Sequence, residues 1–278
     1  MLKFTILSEN RKNGECEAES GLSVFVEHED TKFLFDTGLS DLFLKNAKKL
    51  GIDADGTELV ILSHGHADHA NGMEHLTGGK CVVMHPAGFK DRFSIRSGLF
   101  AGFPYSKGYA TKKFNFVLTR EPHKVYNNVY FLGEIPRAFD FEGQGNISTT
   151  LDPEGIQMEF IEDDSGIAIM TPNGLVIMSG CGHSGICNLL EHAKKVTGED
   201  RIYGVLGGFH FVVPVVGKTE ISQLDGIVAK TIEYFKENNV SHAFLGHCIS
   251  NEIIDKFENE LAKVTKIHRL FSGASFEL

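Results

Sequence analysis

The segment LSHGHADHANG, residues 62–72, limits this chain more than any other, because His64, His66, Asp68 and His69 fall within six positions. It follows ELVIL (58–62), whose length and hydrophobicity read as a strand buried on both faces. A fold for this chain must therefore deliver a buried strand end to a polar site. With 13 histidines in the chain, a loop of surface histidines is the bland alternative. The HxHxDH spacing straight after a buried strand argues against it.

Neutral imidazoles and carboxylates suit zinc, iron or manganese, and a catalytic site keeps one position open for water. In a loop that enters a helix, His64 and His66 converge on one point while Asp68 and His69, on the first turn, face a neighbouring point. Two divalent transition metals are expected, zinc first, with iron or manganese as alternatives.

Composition narrows the partners. Against 37 acidic residues there are 27 basic ones, a net charge of -10, which disfavours nucleic acid because phosphate binding rests on a basic face. No apolar run reaches the roughly 18 to 20 residues of a membrane span. The start MLKFTILSENRKNGECEAES turns polar too soon for a secretory signal, so a cytoplasmic protein is expected. Five cysteines, odd in number and without a CxxC pair, read as free thiols.

Along the chain, KFTIL, SVFVEHE and KFLFDTG read as strands, and SDLFLKNAKKLG as a helix capped by Ser40, with Leu42, Leu44 and Leu50 on its apolar side and Gly51 at its end. A short helix is expected near ADHANGMEHL, and CVVMH reads as a strand ending at His85. Asn173-Gly174 between two apolar runs signals a hairpin. Strand-to-helix units follow at LVIMSGCGHSGICNLLEHAKK, IYGVLGGFHF with SQLDGIVAKTIEYFKEN, and HAFLGHC with NEIIDKFENELAK, and the closing HRLFSGASFEL reads as a last strand. This order fits α/β (α+β) architecture, a sheet-on-sheet core covered by helices, as one domain over 1–278 built from two similar halves. Residues 87–128 lose the pattern and are expected as an insertion or lid.

The HGHADH motif resembles the signature of the metallo-β-lactamase superfamily, and LFDTG (34–38) is similar to the strand whose aspartate, here Asp36, supports the ligands from behind. The resemblance implies a four-layer αββα sandwich with metals at one edge of the sheets. HPAGF, EIPR, SGCGHSGICN, GGFH and GHC look like the branch named for a dihydropterin-ribofuranosylaminobenzene phosphate synthase. The superfamily resemblance implies a third histidine ligand and a C-terminal one; His183 is the best candidate for the third or a bridging-region ligand, and His247 for the C-terminal one. SGCGH stands where the bridging aspartate of the superfamily is expected, so the bridge is missing or replaced, with Cys181 as a candidate or else a small buried thiol. His210 is a ligand, a substrate contact or a packed core residue. Asp68, His183 and His210 form the candidate catalytic set. His85 is a pocket or a structural residue, while Glu134 and Arg137 orient substrate or pair with each other.

Three functions fit these residues. The first is a hydrolase or synthase with a dinuclear site and a metal-activated water. A di-iron redox protein is the second, although neither a bridging carboxylate nor a flavin-binding domain is visible. The third is a non-catalytic metal-binding protein of the same fold. The resemblance implies a small anionic substrate, of which a phosphorylated pterin-like compound is one example, and Lys90, Arg92, Arg96, Lys107, Lys112 and Lys113 among Phe93, Phe100, Phe103, Tyr105 and Tyr109 either draw it in or merely solubilise a loose loop whose aromatics pack beneath it.

Overall fold

Apolar runs without helical period, divided by turns such as Glu29–Asp30, where Glu29 adopts φ 53°, form the strands of two large sheets. The computed structural model describes residues 1–95, 97–143, 148–152, 155–211 and 221–278. In chain order the described strands are β1 (Leu2–Ser8), β2 (Ser23–His28), β3 (Thr31–Phe35), β4 (Leu59–Ile61), β5 (Cys81–Met84), β6 (Arg92–Ser94), β7 (Asn115–Leu118), β8 (His123–Tyr126), β9 (Val129–Phe131), β10 (Ser148–Asp152), β11 (Gly155–Met158), β12 (Gly166–Thr171), β13 (Gly174–Ser179), β14 (Ile202–Gly207), β15 (His242–Leu245), β16 (Lys266–Arg269) and β17 (Ser275–Glu277). The α-helices are α1 (Leu42–Lys49), α2 (Ala67–Ala70), α3 (Lys107–Lys113), α4 (Ile186–Thr197), α5 (Ile221–Glu237) and α6 (Asn251–Leu261).

One sheet has the order β17-β1-β2-β3-β4-β5-β7 and the other β16-β15-β14-β13-β12-β9-β8. Their inner faces share a core in which Phe4, Phe33, Phe35, Phe131 and Phe244 are fully buried, each contributing about 1.5–3 kcal/mol of transfer free energy. Helices α1 and α3 cover the outside of the first sheet through Phe43, Ala47 and Ala110. On the second sheet α4, α5 and α6 do the same through Leu189, Leu190, Phe235 and Phe257. This is the four-layer αββα sandwich that the resemblance implies. Strands β3, β4 and β5 are parallel, as are β13, β14, β15 and β16, so within each set the carboxyl ends lie on one side.

Several expected details shift. The hairpin forms between β12 and β13, but Thr171 pairs with Gly174, so its turn centres on Pro172–Asn173 instead of Asn173-Gly174. Helix α1 starts after Asp41, one residue beyond Ser40, because the Ser40 hydroxyl donates to Glu19 Oε2 (2.5 Å) while accepting from Leu42 N–H at 3.2 Å. Its buried residues are Phe43, Asn46 and Ala47, while Leu50 is exposed.

The boundaries expected for a lid, 87–128, cut through the fold. Asn115–Leu118 pairs in parallel with Cys81–Met84 and is the edge of the first sheet, and His123–Tyr126 is the edge of the second. Phe103 and Phe114 belong to the outer core. Only β6 departs, joining β10 and β11 in a separate three-stranded sheet. Nor are the basic side chains gathered for an anion. Lys90 pairs with Glu162, Lys113 bonds the Glu74 carbonyl at 2.9 Å and Tyr105 Oη at 3.0 Å, and Arg92 is fully buried against carboxylates. Lys107 and Lys112 are exposed on α3, and Arg96 lies outside the described residues.

The far end of the second sheet carries a titrating pair. His268 stacks on Phe244 with ring centroids 4.4 Å apart, and its Nε2 lies 3.2 Å from His242 Nδ1. Burial, then His242 and Lys266, push His268 down from 6.5 to about 4. The folded state then binds fewer protons than the unfolded chain between these values, so this stabilisation is complete above the unfolded pKa and is lost as pH falls toward the folded one. Thermal melts from pH 7 to pH 4 are expected to show a smaller loss of Tm in His268→Phe than in the parent. Equal losses would remove His268 from the acid response.

Candidate metal centre

The chain turns into its polar loops at the carboxyl ends of strands in both sheets. Asp36 follows β3, His64 and His66 follow β4, and α2 carries Asp68 and His69. Cys181 and His183 follow β13, His210 follows β14, and His247 follows β15. Extended backbone that stops at one level presents these side chains to one place.

Their donor atoms form three overlapping groups, each within 4.8 Å: His64, His66 and His183; Asp68, His69, Cys181 and His247; and Cys181, His183 and His210. In the first, His64 Nε2 lies 2.9 Å from His66 Nδ1. In the second, Cys181 Sγ is 3.2 Å from both His69 Nε2 and His247 Nε2, and those nitrogens are 3.0 Å apart. Asp68 Oδ2 approaches the same two nitrogens at 3.8 and 3.5 Å.

Such a gathering fits a cation. Neither ring nitrogen of His183 has a hydrogen-bond partner although both are buried, which leaves a cost of about 1–3 kcal/mol per group, and a cation would take up the lone pair of the unprotonated one. Burial, with neighbouring imidazoles, holds His64 and His183 well below the usual histidine range, and burial and Arg92 push His66 down to about 3. Neutral imidazole is the form that binds metal. His69 differs, since burial opposes its charge but Asp68 and Asp36 raise it to about 9. Two of the donor residues, His210 (φ 47°) and His247 (φ 52°), and the supporting Asp36 (φ 57°) hold left-handed backbone, which for a side chain other than glycine is tolerated where the surroundings fix it.

Behind the donors stands a shell of buried carboxylates. Asp36 Oδ2 accepts from His69 Nδ1 and from Ser63 Oγ, both at 2.7 Å, and its Oδ1 accepts from Ser63 N–H at 2.7 Å. Ser63 Oγ in turn lies 2.9 Å from His64 Nδ1. Gly180 is required beside them, because a Cβ there would sit 2.1 Å from Ser63 Oγ. Glu9 Oε1 accepts from His247 N–H at 2.6 Å, Asn10 Oδ1 lies 3.2 Å from its Nδ1, and Asp164 Oδ2 accepts from Ser184 N–H, beside His183, at 2.8 Å.

The sequence pattern of the metallo-beta-lactamase superfamily matches residues 17–187. The chain belongs to that superfamily. A 7,8-dihydropterin-6-methyl-4-(beta-D-ribofuranosyl)-aminobenzene-5'-phosphate synthase of Methanocaldococcus jannaschii is 28% identical over 277 residues, covering 94% of this chain and 90% of the relative. An uncharacterized protein of the same organism is 30% identical over 240 residues, covering 84% and 86%. A crystal structure described as a metal-dependent hydrolase of the beta-lactamase superfamily matches with TM-score 0.85 and 28% identity, covering 100% of this chain and 99% of the other.

Within the superfamily fold the remaining candidates separate. His210 joins the donors, its ring 4.2 Å from that of His183. His85 does not: its Nδ1 accepts from Ala87 N–H at 3.1 Å and so caps the 3-10 turn Pro86–Phe89. Glu134 and Arg137 neither pair with each other nor belong to the donor groups. Glu134 Oε2 meets Arg120 at 2.5 Å and His85 at 3.4 Å, and Arg137 donates to the Gly143 and Ile161 carbonyls at 2.9 and 3.1 Å. Glu9, Asn10, Ser63 and Asp164 were not singled out in the sequence. For Glu9 and Asn10 there was a signal, the polar run SENRKN directly after a strand, the same signature that exposed the histidines.

Replacing Asp36 by Ala leaves His69 Nδ1, Ser63 N–H and Ser63 Oγ without their acceptor. Zinc affinity by competition with a chromophoric chelator is expected to fall about 10- to 100-fold. An unchanged affinity would show that Asp36 does not orient the donors.

Proposed function

We propose that this protein is a metal-dependent hydrolase or synthase that uses a dinuclear centre and an activated water on a small anionic substrate, with phosphorylated pterin-like compounds as the favoured class. One observation carries the reading: seven donor side chains form two groups, and Cys181 links one of them to His183 in the other. His64, His66 and His183 are suited to one ion, and Asp68, His69, Cys181 and His247 to the second. Cys181 takes the place of the shared aspartate, and a soft thiolate there favours zinc ahead of iron or manganese.

When bound, such ions supply Lewis acidity and an acidified water. The protein's own residues do the rest. Burial opposes the charge on Asp68, but His69 and His247 hold its carboxyl below the ordinary range, so it remains a carboxylate able to orient a nucleophile. His183 anchors the first ion, and His210, less buried than its neighbours, contacts the substrate. The synthase name of the Methanocaldococcus relative supports a phosphorylated heterocycle, and the net charge of -10 supports a small partner over a nucleic acid. No described helix is long and apolar enough to cross a membrane. All five thiols are free, which supports a reducing, cytoplasmic setting.

Elemental analysis after zinc reconstitution is expected to give about two ions per chain, as a two-metal hydrolase requires. Asp68→Ala is expected to abolish turnover of phosphorylated pterins while the circular dichroism spectrum is unchanged. Zero bound metal, or wild-type turnover in the variant, would overturn the proposal. In Cys181→Ser, zinc retention is expected to fall relative to manganese, because a hydroxyl replaces a soft ligand. Unchanged preference would return Cys181 to a packing role.

A further inference from the structure

The most deeply buried arginine or lysine among the described residues faces the metal loop from behind. Arg92, on β6, has no exposed surface, and each of its three guanidinium nitrogens has a partner. Its Nε and one terminal nitrogen grip Glu159 Oε2 and Oε1 at 2.9 Å each, the other terminal nitrogen donates to Asp163 Oδ2 at 3.1 Å, and further bonds reach Asp163 Oδ1 and the Ala87 carbonyl. Asp163 Oδ2 also accepts from the N–H of Gly65, the residue between His64 and His66, at 2.8 Å. Gly65 is pressed against the same cluster, since a Cβ there would lie 2.0 Å from the Gly88 carbonyl oxygen and 2.8 Å from the Arg92 guanidinium. From the same three-stranded sheet, Ser148 Oγ reaches His66 Nε2 at 3.4 Å.

We infer that Asp163, clamped by Arg92, is the positioning residue for the His64–His66 pair. The inference rests on the two-ion reading above. Two imidazoles one residue apart meet one ion only if the peptide between them is held, and Gly65, without a side chain, cannot hold itself. Asp163 supplies the hold through one N–H bond, and Arg92 fixes Asp163 with a planar fork that fits a carboxylate. The cluster also carries one positive charge against two negative ones, so a surplus negative charge lies behind a donor group made only of neutral imidazoles. The second group has its own carboxylate and thiol and stands outside this clamp.

Cobalt(II) titration of the purified protein separates the two groups, because sulfur-to-cobalt absorption in the near ultraviolet reports Cys181 while total stoichiometry reports both. In Asp163→Asn the histidine-only group is expected to lose about tenfold or more in cobalt affinity, with the sulfur band titrating as in the parent. Glu159→Gln removes an equal charge without touching Gly65, and is expected to change that affinity less than threefold. Arg92→Lys keeps the charge but loses the fork, so a selective weakening of the same group is expected there too, and this variant serves if Asp163→Asn does not fold. Parent-like affinity in the folded variants overturns the inference, and so does parallel loss of both groups or an equal effect of Glu159→Gln. A parent protein that itself takes up fewer than two cobalt ions counts against the two-ion reading instead.

Discussion

One carboxylate, Asp36, ties the candidate centre to the core. It is fully buried, and its two oxygens accept from the backbone of Ser63, the hydroxyl of Ser63 and the ring of His69. Through Ser63 it also reaches His64, so a donor from each of the two main groups is oriented by a single side chain. The cost of burying this charge is offset only while every one of those donors is present. That condition explains the small residues around it: Gly180 admits Ser63, and the Ser23 hydroxyl bonds the Asp36 carbonyl at 3.0 Å.

Parallel strands make the arrangement possible. Because β3, β4 and β5 run the same way, Asp36, the HGHADH loop and His85 all leave the first sheet on one side. The same holds for β13, β14 and β15, which release Cys181, His183, His210 and His247. The inner apolar faces bring the two sets of loops together, and the packing of phenylalanines between the sheets is as much a part of the site as the ligands are.

The parts of this organisation legible in the sequence were those encoded within a few residues. HGHADH, LFDTG and the strand-end positions of His183 and His247 combine local spacing with a neighbouring apolar run. Glu9, which bonds His247 from 238 positions away, has no such local mark beyond a polar run. Arg92 misled for a related reason. Arginine is rarely fully buried, and the carboxylates that make it so stand 67 and 71 positions later. The edge strand Asn115–Leu118, four residues long and just past a lysine-rich helix, is too short for its alternation to be told from loop.

The donors within each main group come from both halves of the chain: His64 and His66 with His183, Asp68 and His69 with Cys181 and His247. Sequence separations between these partners exceed a hundred positions. An ion held there acts as a cross-link between the two sheets, equivalent in kind to a disulfide closing a loop of that length, for which the lost freedom of the unfolded chain corresponds to about 4 to 5 kcal/mol. The five free cysteines leave the described protein with no covalent bridge between its halves. Chelation should therefore loosen the junction of the sheets as well as the ligand loops, opening a seam along the sandwich from the site inward.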